Sequence, residues 1–347
     1  MAPADLAPEP FDPATASEST FVTLHAFTSR LRAEFMPDDP PTPLAEAIAV
    51  WRASGELGHV ETWLLRDGDA IVARGQVGWA RSGPNPHIAT VQLDVDAPLR
   101  RRGLGAALLA PIARTMRAAE RTSFVATTLG SAPGGGAWLE RMGATRGLET
   151  TATQLRLDAL DRDLLAAWIA RADRDAFELG YWDGPYAEAD LDAIAALHEV
   201  MGTQPMGALA VAHARPTPAE LRQDEAAMVP RGTRRWTAWV RERSSGRFAG
   251  FTELTWRPSA PHVLNQGSTG VFPEFRGRGL GAWLKAALLD RVLRERPEAR
   301  CVRTTNADVN AAMLRINRAL GFAPYMARTV WQADLAVLEA WLAGRAS

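Results

Sequence analysis

Cysteine and lysine are almost missing from this chain: its 347 residues hold one of each, Cys301 and Lys285. A single thiol excludes an intrachain disulfide framework and any cysteine-based zinc cluster, and no other motif calls for a metal. Subtracting the one lysine from 39 basic residues leaves 38 arginines. With abundant alanine, glycine and proline, that bias reads as GC-rich coding rather than as mechanism.

An excess of either charge is missing too. Thirty-nine basic residues stand against 40 acidic ones, a net charge of -1, so no general basic surface exists to hold a phosphate backbone, which argues against nucleic acid as a partner. No apolar run approaches the roughly 20 residues needed to cross a bilayer. Residues 1–20 have no Lys or Arg and four prolines, Pro3, Pro8, Pro10 and Pro13. They fit neither a secretory signal nor a transit peptide and are expected to form a flexible tail. The expectation is a cytoplasmic protein without a membrane partner. Hydrophobic residues at 47% and charged residues at 23% are ordinary globular values, which excludes a disordered chain. The length favours two domains.

What is present is a repeat. Residues 95–108, VDAPLRRRGLGAAL, align with residues 271–284, VFPEFRGRGLGAWL. The alignment sets Val95 on Val271, Arg100 on Arg276, Gly103 on Gly279 and Gly105 on Gly281, and carries Leu104, Leu108 and Ile112 onto Leu280, Leu284 and Leu288. Two later blocks recur in the same order: Met142-Gly143 answers Leu320-Gly321, and residues 151–170 answer 327–344, with Trp168 and Trp341 in matching helical places. Order and spacing across three blocks indicate a duplication.

Periodicity supplies a coarse structure for each repeat. In the second, residues 235–242 and 247–256 flank Ser244-Ser245-Gly246 and read as a hairpin; a third strand spans 262–272. A helix runs from Gly279 to before Pro297, a strand covers 301–305, and a helix over 310–320 closes on Gly321. The first repeat shows strands near 61–65, 71–79, 88–95 and 124–128. The order β-β-β-α-β-α-β makes each half an α/β (α+β) unit around a mixed sheet. The expected domains are 21–172 and 173–347, with residues 161–184 joining them.

Residues 276–281 follow a strand and open a helix, so successive backbone N–H groups converge where the helix dipole is positive. That geometry suits an anion. The turn lacks the Gly-Lys-Ser/Thr of a Walker loop and the spacing of a dinucleotide fingerprint. Taken alone it also reads as a helix cap with solvated arginines; its recurrence at 100–105 favours the anion site.

On these residues both repeats resemble the GNAT superfamily of acyl-CoA-dependent N-acyltransferases. The pyrophosphate loop of that family reads Gln/Arg-x-x-Gly-x-Gly/Ala. In the second repeat Asn310, Gly321 and Phe322 match a later family element. Departures fall at Met313 and at Asn317, which stands where relatives carry a tyrosine proton donor. The resemblance implies tandem GNAT-like domains, each a mixed, mainly antiparallel sheet flanked by helices. It implies that Arg276, Gly277, Arg278, Gly279, Leu280 and Gly281 hold the pyrophosphate of acetyl-CoA or another short acyl-CoA. The strand ending at Val271 would splay to receive the pantetheine arm, and Asn310 would reach the pantetheine or thiol region. Asn306 serves either as a further amide contact or as a helix cap. Val95, Arg100, Arg101, Arg102, Gly103, Leu104 and Gly105 mark a possible second cofactor site. The first repeat otherwise reads as a degenerate copy packed on the second: Ala132 and Leu139 replace the polar residues, residues 131–136 are expected to be floppy, and Pro111 lies inside the loop helix, where it removes one hydrogen bond at a cost of up to about 3 kcal/mol or forces a kink.

Acyl transfer to an amine needs the neutral amine, about one molecule in 2500 at pH 7 for an ammonium of pKa near 10.4. A carboxylate base recovers part of that cost. Glu253, mid-strand among apolar residues, is the first candidate, with His262 and Glu274 as weaker ones. The oxyanion would take a backbone N–H near Val271, and the thiolate would meet Asn317 or Tyr325. Cys301, in a buried strand, reads as core. The acceptor is expected against residues 191–232, which carry His198, Met201, Met206 and His213 without an acidic cluster suited to a polycation. That favours a small, partly apolar amine, with Trp236, Trp239 and Trp256 as candidate cleft residues. Competing expectations are a non-catalytic CoA-binding sensor or scaffold and a peptide or protein N-acetyltransferase. The oligomeric state stays open.

Overall fold

The computed structural model describes residues 6–56, 58–203, 208–212 and 214–346; Met206 and His213 lie outside them. The chain runs through β1 (Glu9–Phe11), α1 (Glu18–Phe35), α2 (Leu44–Ala53), β2 (Gly58–Asp67), β3 (Ala70–Ala80), β4 (Ile88–Val95), α3 (Leu104–Ala118), β5 (Ser123–Leu129), α4 (Pro133–Met142) and β6 (Thr145–Arg156). It continues through α5 (Arg162–Ala170), β7 (Phe177–Asp183), α6 (Leu191–His198), α7 (Pro218–Met228), β8 (Arg234–Glu242), β9 (Phe248–Arg257), β10 (Ala260–Val271), α8 (Leu280–Glu295), β11 (Cys301–Ala307), α9 (Ala311–Ala319), β12 (Ala323–Asp334) and α10 (Leu335–Ala346). No helix among the described residues is long and apolar enough to cross a membrane.

Two compact units form. One holds Met1–Glu149, Ala208–Ala212 and Arg328–Ser347, and the other holds Thr150–Gly207 and His213–Ala327. In the first, strands follow the order β1-β2-β3-β4-β5-β12; in the second, β6-β11-β10-β9-β8-β7. Described pairings are antiparallel except β4 with β5 and β10 with β11, which are parallel. Both units are thus α/β with a mixed, mainly antiparallel sheet, as the strand and helix pattern indicates.

The units depart from a linear division at 172/173 because each takes its last strand from the other repeat. β12, which ends the second repeat, pairs with β5 from Arg328↔Leu129 to Asp334↔Ser123. β6, which ends the first, pairs with β11 from Cys301↔Arg156 to Ala307↔Thr150.

Each core is built on the helix that follows the glycine turn. In α8 the four-residue spacing puts Leu280, Leu284 and Leu288 into one buried cluster with Trp236, Trp256 and Leu254, and in α3 Leu104, Leu108 and Ile112 fill the same role. Each such leucine contributes about 1.5–3 kcal/mol on burial.

Three local expectations are corrected. Residues 9–20 are not a loose tail, since β1 pairs with β2 and Ser17 caps α1 by accepting from the Thr20 amide. Residues 131–136 are not floppy: Pro133 occupies the first turn of α4, where its missing N–H costs nothing, and Gly136 lies against the Trp331 ring. The segment 161–184 contains α5 and the edge strand β7 rather than a simple joint.

Candidate active site

β10 and β11 pair only at 263–265 with 301–303, although β10 continues to Val271 and β11 to Ala307. Beyond Asn265 the strands diverge. A bulge in β10 enters between Gln266 and Thr269, which face Leu254 and Thr252 of β9, and an extra residue of this kind increases local twist. The bulge is held from within: Gln266 Nε2 donates to Thr252 Oγ1 (2.7 Å) and to the Glu253 carbonyl (2.8 Å), and the Thr252 and Thr269 hydroxyls lie 2.6 Å apart.

The divergence leaves a cavity of about 380 Å³, walled by residues 265–269 of β10, residues 303–306 of β11, Lys285 of α8, and Met201. Gln266 Oε1 is buried there without a hydrogen-bond donor among the described residues.

The glycine turn lies at the end of β10. Gly277 and Gly279 have φ of +79° and +77°, conformations that cost an L-residue about 1–2 kcal/mol, and a Cβ on either would meet open space. No acceptor for the amides of residues 277–282 is found among the described residues; the first amide of α8 that is bonded is Trp283, to the Gly279 carbonyl. Arg276 pins the turn, its Nε donating to the Val271 carbonyl (3.0 Å) and its Nη2 to Thr203 Oγ1 (2.6 Å). Arg278 is exposed, its guanidinium over Phe177. Leu280 is buried, and Gly281 lies beside Ile316.

The first repeat's turn is differently committed. Arg100 makes the same bond to the Val95 carbonyl, but its guanidinium is forked onto Glu34 of α1 at 2.5 and 2.6 Å; that contact raises its pKa. Arg101 stands in the place of Gly277 with φ +64°, while Gly103 starts α3 at +87°. Arg102 is exposed and Leu104 buried, and a Cβ on Gly105 would meet nothing.

Around the cavity of the second repeat the candidates take distinct places. Asn310 caps α9, its Oδ1 accepting from the Met313 amide (3.2 Å), so the capping role weighed for Asn306 falls to Asn310. Asn306 instead accepts from Asn317 Nδ2 at 2.7 Å and lines the cavity. Asn317 Oδ1 in turn accepts from Lys285 Nζ at 2.7 Å. Lys285 is 1% exposed, and burial lowers its pKa to about 7. Tyr325 on β12 lies under the Arg303 guanidinium, 4.2 Å from ring centroid to Cζ. Lys285 escaped the reading of site residues from sequence; its signal was a lone lysine inside an apolar helical run.

Glu253 lies half-buried opposite the bulge, with Oε2 3.6 Å from where a Cβ on Gly267 would sit. Its Oε1 accepts from the Tyr186 hydroxyl (2.9 Å), which also meets Thr237 Oγ1 (3.1 Å). Burial, then the Glu253 charge, push the Tyr186 pKa far up, so it stays a neutral donor. Arg235 stacks on the Tyr186 ring and bonds Glu225, which also accepts the Tyr186 amide. Asp224 on α7 is raised by burial; the His198 charge opposes that shift and Glu253 adds to it.

The weaker base candidates lie elsewhere. His262 Nδ1 is 2.6 Å from the Glu298 carbonyl, at the closed end of β10, and Glu274 is exposed and paired with Arg247. Neither lines the cavity; Glu253 does not line it either but lies beside its wall at Gly267, whereas Trp236 and Trp256 pack on each other in the core and Trp239 packs on Phe248. Cys301 is buried, as expected.

Comparison with known proteins agrees with this geometry. The model of the acetyltransferase (GNAT) family matches residues 206–322. A tandem GNAT protein from the clavulanic acid biosynthesis pathway, solved without AcCoA, is 29% identical over 95% of this chain and 99% of its own, with a TM-score of 0.78. A GCN5-related N-acetyltransferase from Sphaerobacter thermophilus, 15% identical over 95% and 96% of the two chains, shares the fold with a TM-score of 0.64. No curated protein sequence matched the chain.

Proposed function

The chain is a tandem-domain member of the GNAT superfamily and an acyltransferase, and from that premise we propose that its second repeat transfers an acetyl or other short acyl group from acyl-CoA to the amine of a small molecule. The observation that carries this reading is that β10, which walls the cavity, leads directly into six amides at 277–282 for which no acceptor is found among the described residues. Those amides, at the positive end of α8, suit a diphosphate, and open space at Gly277 and Gly279 admits it against the main chain. The cavity, with the unsatisfied Gln266 Oε1 in its wall, suits an amide-bearing arm. Residues 276–281, Val271, Asn306 and Asn310 are the cofactor-binding set.

Bound acyl-CoA supplies a thioester carbonyl open to attack by an amine. Glu253 takes the proton the amine must lose, directly or through one water, and Tyr186 holds its carboxylate in place. Asp224 adds a second acid on the acceptor side, drawing a cationic amine toward Glu253. No enzyme nucleophile is needed when both substrates are bound side by side. The first repeat, with Arg100 forked onto Glu34, does not turn over.

Calorimetry with acetyl-CoA tests this. Gly279→Trp, which plugs the turn, should abolish binding, while Gly103→Trp should leave binding and amine-dependent CoA release intact. The reverse pattern moves the active site to the first repeat. Tight CoA binding with no release across a broad amine panel would identify a sensor instead.

A further inference from the structure

We propose that Lys285 is the proton donor to the sulfur that leaves during acyl transfer. The assignment rests on the second repeat being the one that binds acyl-CoA.

Placement is the first argument. Lys285 reaches from α8 into the wall of the β10–β11 cavity, and its Nζ donates to Asn317 Oδ1 and to no other acceptor among the described residues. Two of its three protons are therefore uncommitted. Asn317 passes the contact on to Asn306, which lines the same cavity.

The repeat provides an internal control. Matching α3 with α8 sets Leu109 where Lys285 stands; matching Gly143 with Gly321 sets Leu139 at Asn317; matching β5 with β11 sets Thr128 at Asn306. Leu109 and Leu139 are both buried, and the Thr128 hydroxyl is occupied by the Trp331 indole N–H. This fold packs well with leucine at both helical places. A fully buried ammonium in the second repeat is thus a cost that packing does not explain.

Residue type is the third argument. The chain uses arginine for 38 of its 39 basic residues (39 minus 1). Arginine cannot release a proton near neutrality, whereas lysine can once its charged form is desolvated. Burial alone brings Lys285 to about 7, where holding and releasing the proton are nearly balanced. No carboxylate lines the cavity. Arg303, the other cation there, donates to Gln154 and covers Tyr325; Arg315 and Arg318 of α9 are exposed; the face of Phe322 lies 5.4 Å from Nζ; Glu253 on β9 is bound to Tyr186.

The step balances without another reagent. The amine lone pair forms the C–N bond as the C–S bond breaks, and the bonding pair departs on sulfur. Lys285 Nζ–H gives sulfur its proton, leaving a free thiol and a neutral Lys285. Glu253, having passed the proton of the entering ammonium to water before the attack, takes the surplus proton on the product nitrogen and passes it to water in turn, and Lys285 recovers its proton from solvent.

A chain with one lysine makes the test direct. Protein grown with lysine carrying carbon-13 at Cε shows a single resonance, whose titration is followed with no ligand, with desulfo-CoA and with the sulfonate analogue of CoA, calorimetry reporting binding in parallel. The expected midpoint is near pH 7 without ligand, and the sulfonate, which sets a permanent negative charge where the leaving sulfur develops one, should raise it by about one unit or more over desulfo-CoA, because an anion within contact favours the ammonium. Equal midpoints with both ligands bound overturn the assignment while leaving the acyltransferase reading intact; no binding of either overturns both. Lys285→Met, whose fold is checked by circular dichroism and CoA binding, should lower kcat by about a hundredfold or more, leave the KM for acetyl-CoA within a few-fold, and lack the fall in kcat above pH 7 that deprotonation of Lys285 should give the parent. An acetyl adduct on Lys285 formed from acetyl-CoA alone and discharged by added amine would make it a nucleophile and overturn the proposal.

Discussion

Lys285 Nζ lies 2.7 Å from Asn317 Oδ1 in the second repeat, and the same two places in the first repeat hold Leu109 and Leu139. The lysine is therefore a liability for stability that has a sign in pH. Its folded pKa, about 7, is below its unfolded value, so between pH 7 and about 10.4 the unfolded chain binds more protons and stability rises with pH. At and below pH 7 the full cost of the buried charge is felt. Lys285→Met should be more stable than the parent at pH 6–7, by on the order of 4 kcal/mol, with the gap closing toward pH 10. Urea denaturation across that range measures it; a constant gap would refute the buried-charge origin.

Glu253→Gln keeps an acceptor for Tyr186 and loses only the carboxylate proposed as the base. Its kcat should fall by about a hundredfold or more with acetyl-CoA affinity unchanged. Steady-state kinetics against a responsive amine, with calorimetry for the cofactor, separates the two effects. Unchanged turnover would move the base to Asp224, the next carboxyl on the acceptor side.

Tyr186→Phe probes how that carboxylate is held. The substitution strips a donor from Glu253 Oε1 and leaves the Thr237 hydroxyl, 1% exposed, short of a partner. A loss of about 1–2 kcal/mol in stability is expected, with a roughly tenfold fall in kcat from the looser base. Denaturation and kinetics on one preparation check both, and a stability loss with unchanged kcat would confine Tyr186 to the fold.

Much of this arrangement is written locally and some of it is not. The glycine turns, the hairpin β8–β9 and the helices α3 and α8 are legible because a φ constraint or a four-residue apolar spacing is a property of neighbouring residues. Glu253 is legible as the one acid between apolar residues in β9. β1 and α4 are hidden because Pro8, Pro10 and Gly134–Gly136 carry weak local preferences that packing overrides. Lys285 is hidden since helical spacing says which face is buried but not which buried residue meets a cavity formed by a bulge two elements away. The exchange of β6 and β12 is the least legible feature: both strands end a repeat, and nothing in their own residues names the partner.

That exchange makes a prediction about where the chain can be cut. A fragment of residues 1–172 loses β12, leaving β5 an open edge over 123–129. It also loses Trp331 (2% exposed), whose indole bonds Thr128, and Leu338 (0%) from the core shared with Leu139 and Met142. Removing one buried tryptophan costs about 3–5 kcal/mol, comparable to the whole stability of a small domain, and an open edge invites aggregation. This fragment should be insoluble or show a collapsed amide spectrum by NMR. Residues 1–149 joined through a flexible Gly/Ser linker to residues 323–347 should give dispersed amides and a cooperative melt, because β12 and α10 are restored. A well-dispersed spectrum from residues 1–172 alone would mean that β6 can take the place of β12 on β5.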